Sequence, residues 1–182
     1  NQDVKNIPTA QLMKHVAYVA QDNFLFDTSI RENLKIAKAD ATDEEILNAL
    51  KAANCLELIE RLPEGLNSNA GDCGKFLSGG ERQRITLARA MLADAQCIIL
   101  DEATAYADVE NEAKIQEALS RLMKDKTLIV VAHRLNTIVG ADQIMVLDHG
   151  TINSIGTHKE LIQKSSVYQR LWKSYSGKEV AE

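Results

Sequence analysis

Ser78–Leu92 reads SGGERQRITLARAML, a serine and two glycines at the head of a charged turn that runs into an apolar-periodic stretch. Ser78 and Glu81 have the S-x-x-E spacing of a capping box, which predicts a helix opening at Ser78. Its broad apolar face would carry Ile85, Leu87, Ala88, Met91 and Leu92. Glycine weakens a helix by up to about 1 kcal/mol relative to alanine. Gly79 and Gly80 in the first turn therefore ask for a second reason. Bare backbone lets an anion approach the unpaired N–H groups of a helix mouth, where the dipole favours negative charge. A cap and a phosphate-binding mouth are both open readings of this stretch.

Working outward, Cys97–Leu100 (CIIL) is a continuous apolar run that ends in Asp101-Glu102. Val109 to Lys124 is amphipathic, with Ile115, Ala118, Leu119, Leu122 and Met123 at helical spacing. Leu128 to Ala132 reads as a strand ending at His133. Ile144 to Leu147 is a further strand, and Asp148-His149-Gly150 a hairpin turn into Thr151–Ile155. Thr157-His-Lys-Glu160 is a capping box for one last helix, from Lys159 to about Tyr175. Upstream, Val16–Ala20 (VAYVA) is a short buried strand followed by polar Gln21, Asp22 and Asn23. Helices are expected from Ser29 to Ala37, from Thr42 (a capping box with Glu45) to about Ala53, and from Leu56 to Leu62, where Pro63 stops the last. Leu66 to Lys75 is polar and glycine-bearing, hence a loop.

Continuous apolar strands separated by helices indicate an α/β fold with a mostly parallel, two-sided sheet flanked by helices. Residues 1–26 and 94–182 are expected to form the α/β core. Residues 27–93, without a strong strand signal, would form a helical subdomain inserted in it.

The bulk composition excludes several classes. The hydrophobic share is 45% and the charged share 26%, as in ordinary globular proteins. A net charge of −5 argues against a nucleic-acid partner, which would select a basic surface. Cys55, Cys73 and Cys97 are scattered and odd in number, which suits a reducing compartment rather than a disulfide framework. The longest apolar runs, such as TLIVVA, fall far short of the roughly 18 residues a membrane span needs.

Ligands of open α/β sheets bind beyond the carboxyl ends of the strands. Gln21, Asp101-Glu102 and His133 all follow apolar runs directly. Two adjacent carboxylates at a buried strand end repel one another unless a cation or proton is shared. An Asp behind four apolar residues fits a Mg²⁺-side ligand of a nucleotide hydrolase. The Glu beside it would be free to orient or deprotonate an attacking water, typically worth about 10²–10⁴ in rate. Alone, the pair reads equally well as an acidic strand-to-loop transition. A lone histidine after a strand is more often structural, and Gln21 alone says less still.

Taken together, Gln21, LSGGERQR (Leu77–Arg84), CIILDEAT (Cys97–Thr104), Asp108 and His133 resemble the nucleotide-binding domain of ABC transporters. The blocks are similar to that family's Q-loop, signature motif, Walker B with catalytic glutamate, D-loop and H-loop, in the family's order. The resemblance implies a P-loop NTPase fold of the ABC ATPase type, with ATP and Mg²⁺ as its ligands and hydrolysis at the interface of a head-to-tail dimer with a second nucleotide-binding domain. It implies that Ser78, Gly79, Gly80 and Gln83 of the signature contact ATP held mainly by the partner, with the serine and glycines on the γ-phosphate. Asp101 would support Mg²⁺, Gln21 would touch metal and water, and Glu102 would activate the water. His133 would contact the γ-phosphate and Asp108 would cross the dimer interface.

The family's phosphate cradle, G-x-x-x-x-G-K-[ST], does not occur: Gly74-Lys75 is followed by Phe76 and Gly177-Lys178 by Glu179. In the family this loop lies upstream of the Q-loop. The expectation is an N-terminally truncated domain, inactive alone, that binds ATP weakly or not at all. FLFDTSIRENL (Phe24–Leu34) resembles the exporter-type segment that faces the coupling helices of a transmembrane domain, and NAGDCGKFLSGG (Asn69–Gly80) the x-loop that precedes the signature. ATAYAD (Ala103–Asp108) departs from the family's usual ATSALD and is similar to a branch of exporter-fold systems that includes siderophore transporters. The resemblance thus implies a transporter ATPase on the cytoplasmic face of the cell membrane. A soluble ABC ATPase of chromosome maintenance or translation is the competing class, although neither coiled-coil arms nor a tandem second domain is visible. A non-catalytic dimerisation piece is the third.

Overall fold

A computed structural model of the chain describes residues 3–101, 109–132 and 135–179. After a 3₁₀ turn at Val4–Asn6, its α-helices and strands begin with the short helix α1 (Thr9–Leu12), which the apolar pattern did not announce, and strand β1 (Val16–Val19). Helices α2 (Ile30–Lys35), α3 (Asp43–Ala52), α4 (Leu56–Arg61) and α5 (Gly79–Ala93) follow, then β2 (Cys97–Asp101), α6 (Val109–Met123) and β3 (Thr127–Val131). The remainder is β4 (Ile144–Asp148), β5 (Thr151–Gly156), α7 (His158–Lys164) and α8 (Ser166–Glu179).

The helix starts are set by side chains. Ser29 accepts the Glu32 backbone N–H, and Thr42, Ser78 and Thr157 each close a complete capping box with the Glu three residues on. Between Asp27 and Ala93 the described regular elements are all helical, joined through single 3₁₀ turns at Gly65–Asn67 and Asp72–Gly74.

The chain divides into two compact units, Asn1–Val131 and Ala132–Glu182. In the first, β1, β2 and β3 form a parallel sheet in that order, with Val19 opposite Leu100 and Asp101 opposite Val131. Ala17, Val19, Ile98 and Leu100 share one core with Leu25, Ile30, Leu34, Ile46 and Leu50 of the helical stretch, Ile85 and Leu87 of α5, and Ile115 of α6. A two-sided sheet is expected from the continuous apolar runs, and here the structure differs. Tyr18, Ile129 and Val131 are 58%, 49% and 47% exposed, so the described residues cover one face and leave the other open. An apolar run satisfies one covered face as well as two.

In the second unit, β4 and β5 pair antiparallel through a two-residue turn. His149 and Gly150 both have positive φ (48° and 76°), the requirement of a type I′ hairpin turn. Ile144, Val146, Leu161 and Tyr168 make this unit's own core, flanked by Trp172. The last helix is expected as one and is found as two. Ser165 is extended (φ −104°, ψ 109°), and its buried Oγ accepts the Tyr168 backbone N–H at 3.2 Å and the Ser154 hydroxyl at 2.9 Å. A serine that caps the next helix and bonds the hairpin ends the helix before it.

Candidate functional site

The site is built from strand ends and one helix mouth. Parallel pairing puts the carboxyl ends of β1, β2 and β3 on the same side, so Gln21, two residues past Val19, and Asp101, one past Leu100, emerge together. Gln21 is exposed and Asp101 half-buried. The Tyr18 hydroxyl donates to Asp101 Oδ2 at 2.9 Å, and that bond, with burial and the carboxylate charges, raises the Tyr18 pKa. Tyr18 lies on the open face of the sheet, one strand over from Asp101. Glu102, Asp108 and His133, with the rest of the Ala103–Asp108 stretch, lie outside the described residues.

The mouth of α5 is built as its sequence spacing requires. Ser78 is extended (φ −66°, ψ 163°); its Oγ accepts the Glu81 N–H at 3.3 Å, and Glu81 Oε2 accepts the Ser78 N–H at 2.8 Å. Ser78 is exposed, Gly79 half-buried and Gly80 buried. The first N–H groups of a helix have no intrahelical acceptor; with the Glu81 N–H capped by Ser78 and the Arg82 N–H on the Ser78 carbonyl, those of Gly79 and Gly80 are the remaining first-turn donors. Glu81 also pairs with Arg61. Burial pushes the Glu81 carboxyl up, but the bonds from Ser78 and Arg61 outweigh it and hold the pKa below the usual carboxylate range.

The loop leading into the mouth is shaped by Gly74, at φ +73°, where an added Cβ would stand 2.6 Å from Arg82 Cδ. Arg82 Nη1 in turn donates to the Leu77 carbonyl at 2.7 Å, tying the loop to the helix it precedes.

Gln83 faces inward: it is 2% exposed, and its Nε2 has no hydrogen-bond partner among the described residues. It backs the mouth rather than lining it. Thr86 Oγ1 meets Asn23 Oδ1 at 3.0 Å, and Ser78 lies eight residues earlier on α5, about 12 Å along the axis at 1.5 Å per residue. The parallel register thus places Gln21 and Asp101 at one edge of the sheet, while Ser78–Gly80 lie about two helical turns along α5 from the Thr86–Asn23 contact.

Several residues in and around this arrangement were not singled out by the sequence. Tyr18 reaches Asp101; Thr86 and Arg89 hold the segment after Gln21, with Arg89 donating to the Phe24 carbonyl at 3.3 Å. Burial lowers the Arg89 pKa from its ordinary value. An arginine inside LARAML is the signal that could have flagged a partner, since a charge is rarely placed among buried positions unpaired.

The donor chemistry at the strand ends is that of hard oxygen: the Asp101 carboxylate and the Gln21 amide carbonyl suit Mg²⁺ better than a softer metal. Among the described residues no group of three or more His, Cys, Asp or Glu forms a ready-made metal cluster. No described helix is long and apolar enough to cross a membrane.

The sequence profile of the ABC transporter family matches residues 1–105. An ATP-binding/permease protein of Bacillus subtilis whose name assigns it to multidrug export, YgaD, is 49% identical over 170 residues, 93% of this chain and 29% of its own length. The mycobactin import ATP-binding/permease protein IrtA of Mycolicibacterium thermoresistibile is 46% identical over 94% of this chain and 19% of its own length. The chain therefore spans less than a third of these relatives. Among solved structures, that of a bacterial Atm1-family ABC exporter with ATP bound superposes with a TM-score of 0.84 at 33% identity, over 95% of this chain and 30% of that one. The chain belongs to the ABC transporter family and has the fold of the ATP-binding domain of its exporter-type members.

Proposed function

We infer that the chain is the part of a transporter's ATP-binding domain that carries the hydrolytic carboxylates and presents a phosphate-binding mouth to a partner domain. The observation behind this reading is that the capped Ser78–Gly80 mouth lies about two helical turns along α5 from Thr86, the residue that meets Asn23 just past β1. A γ-phosphate beside Asp101 would not reach this chain's own mouth; one held by a second nucleotide-binding domain, arranged head to tail, would.

In this reading Asp101 and Gln21 hold Mg²⁺, which when bound neutralises charge on the terminal phosphates. Glu102 takes the proton of the attacking water, His133 donates to the γ-phosphate, and the amides of Gly79 and Gly80 with the Ser78 hydroxyl bind the phosphate oxygens from across the interface. Asp108 meets the partner at that interface. Gln83, buried behind the mouth, serves by keeping α5 in place. Residues 27–93 act as the helical subdomain on a core of residues 1–26 and 94–182. Phe24–Leu34 faces the coupling helices of a transmembrane domain, so the domain works at the cytoplasmic face of a membrane. The names of the relatives, all joining ATP binding to a permease, favour this over a soluble ATPase. With no G-x-x-x-x-G-K-[ST] stretch in its 182 residues, the chain alone binds ATP weakly or not at all.

The test is Glu102→Gln in the full-length protein that contains this chain. Mg·ATP binding should be retained while turnover falls by at least about a hundredfold. Wild-type turnover in that variant would remove Glu102 from the mechanism and with it this reading of the strand end.

A further inference from the structure

All three phenylalanines of the chain are exposed, and two of them, Phe24 and Phe26, flank a fully buried Leu25. Their rings meet edge to face with centroids 4.9 Å apart. Exposed aromatic rings on an irregular segment need something that fixes their backbone, and here it is a polar clamp beneath them. Asn33, fully buried on α2, accepts the Phe26 N–H at Oδ1 (2.8 Å), and its Nδ2 donates to the carbonyls of Phe26 (3.0 Å) and Ser29 (3.1 Å). Arg89 of α5 closes the clamp from the other side. Its Nε donates to the Asn33 carbonyl at 2.9 Å, its Nη2 to Asn33 Oδ1 at 3.1 Å, and its Nη1 to the Phe24 carbonyl at 3.3 Å. One turn earlier on the same helix, Thr86 holds Asn23.

We propose that Asn33 and Arg89 are positioning residues that fix the Phe24–Phe26 platform rigidly on α5, so that a push on the platform is delivered to the Ser78–Gly80 mouth of the same helix. The clamp is read from the contacts above; its consequence for turnover rests on the reading that Phe24–Leu34 meets a membrane domain. Asn33 satisfies both polar groups of the Phe26 backbone, as a strand partner would, without letting the segment become a strand. Arg89 supplies donors in a fixed fork, which a lysine would not reproduce. Neither residue touches the nucleotide site.

The experiment uses the full-length protein that contains this chain, in lipid nanodiscs, with peptide-resolved amide exchange and steady-state ATP hydrolysis. Asn33→Ala and Arg89→Lys should each speed exchange in residues 22–28 by about tenfold or more while leaving residues 43–52 of α3 unchanged. The kcat should fall by at least about fivefold with the KM for ATP unaltered. Exchange that stays slow at 22–28 overturns the clamp. Acceleration at 22–28 and 43–52 alike makes the two residues merely structural and overturns it too, and loosening without a change in kcat overturns the transmission. A parallel Phe24→Ser/Phe26→Ser variant separates the two layers: unchanged hydrolysis there defeats the membrane-domain reading, while the exchange data still decide the clamp.

Discussion

Replacing Ser78 separates the two jobs its position combines. Ser78→Ala removes the Oγ that accepts the Glu81 N–H at 3.3 Å and leaves the reciprocal 2.8 Å bond from the Ser78 N–H to Glu81. Loss of an N-cap acceptor costs about 1 kcal/mol, which lowers the melting temperature of a domain of this size by about 2–4 °C. Ser78→Asp keeps an N-cap acceptor that ranks with serine, so stability should stay within about 0.5 kcal/mol of wild type. It also puts a carboxylate where a phosphate would sit. Two like charges about 4 Å apart repel by about 1 kcal/mol in water and about 4 kcal/mol at the effective dielectric of a protein surface. Turnover should therefore fall by about 10- to 1,000-fold in Ser78→Asp, the better-folded of the two variants. Thermal melts and ATP hydrolysis by the full-length protein read the two effects separately. Wild-type turnover in Ser78→Asp, or a loss that tracks melting temperature across both variants, would show that Ser78 is a helix cap and nothing more.

The three capping boxes also make the fold acid-sensitive. Glu45, held down chiefly by its bond from Lys38, Glu160, held down by the Thr157 backbone, and Glu81, lowered despite its burial, all have folded-state pKa values below the ordinary 4.5. A depressed folded pKa gives stability that is full above the unfolded value and is lost as pH falls through the folded one. Urea midpoints should fall between pH 5 and pH 3, over roughly the carboxylate range, and fall less in a Glu45→Gln/Glu81→Gln/Glu160→Gln variant; equal slopes would contradict the linkage. Among the cysteines, Cys55 is fully buried and burial pushes its thiol to about 12, whereas Cys73 is exposed. Iodoacetamide at about pH 8 should modify Cys73 first and Cys55 only through unfolding; equal native-state rates would contradict the packing around α4.

What the sequence made legible is local. The capping boxes at Thr42, Ser78 and Thr157 start their helices where the spacing put them, because a cap is a bond between residues three apart. β1 ends two residues before Gln21 and β2 at Asp101 for the same local reason, since an apolar run stops where side chains turn polar. What stayed hidden depends on distance. Asn33 and Arg89 are 56 residues apart and Tyr18 and Asp101 83, and no spacing rule connects them. The break at Ser165 needed the hairpin, whose Ser154 hydroxyl makes the buried Ser165 worth satisfying. Which face of the sheet is covered depends on what packs there, and Val16–Val19 reads alike in either case.

One helix accounts for most of how the site is organised. The buried side of α5 (Ile85, Leu87 and Ala88, all fully buried) locks it into the core of the first unit. Its first turn is the capped mouth proposed to bind phosphate, and its middle holds Asn23 through Thr86 and the Phe24–Phe26 platform through Arg89. Ser78 and Arg89 are eleven residues apart, about 16 Å along the axis. A rotation of about 10° of the packed unit that carries α5 would displace the mouth by about 3 Å relative to Arg89 over that length. Since a hydrogen bond to phosphate is made within a few tenths of an ångström around about 2.9 Å, such a rotation would suffice to make or break the contacts proposed at Ser78–Gly80. The helix need not bend or melt for the mouth to engage. Its rigidity, set by the packed Ile85 and Leu87, is what would let a small displacement at the aromatic platform reach a phosphate on another domain.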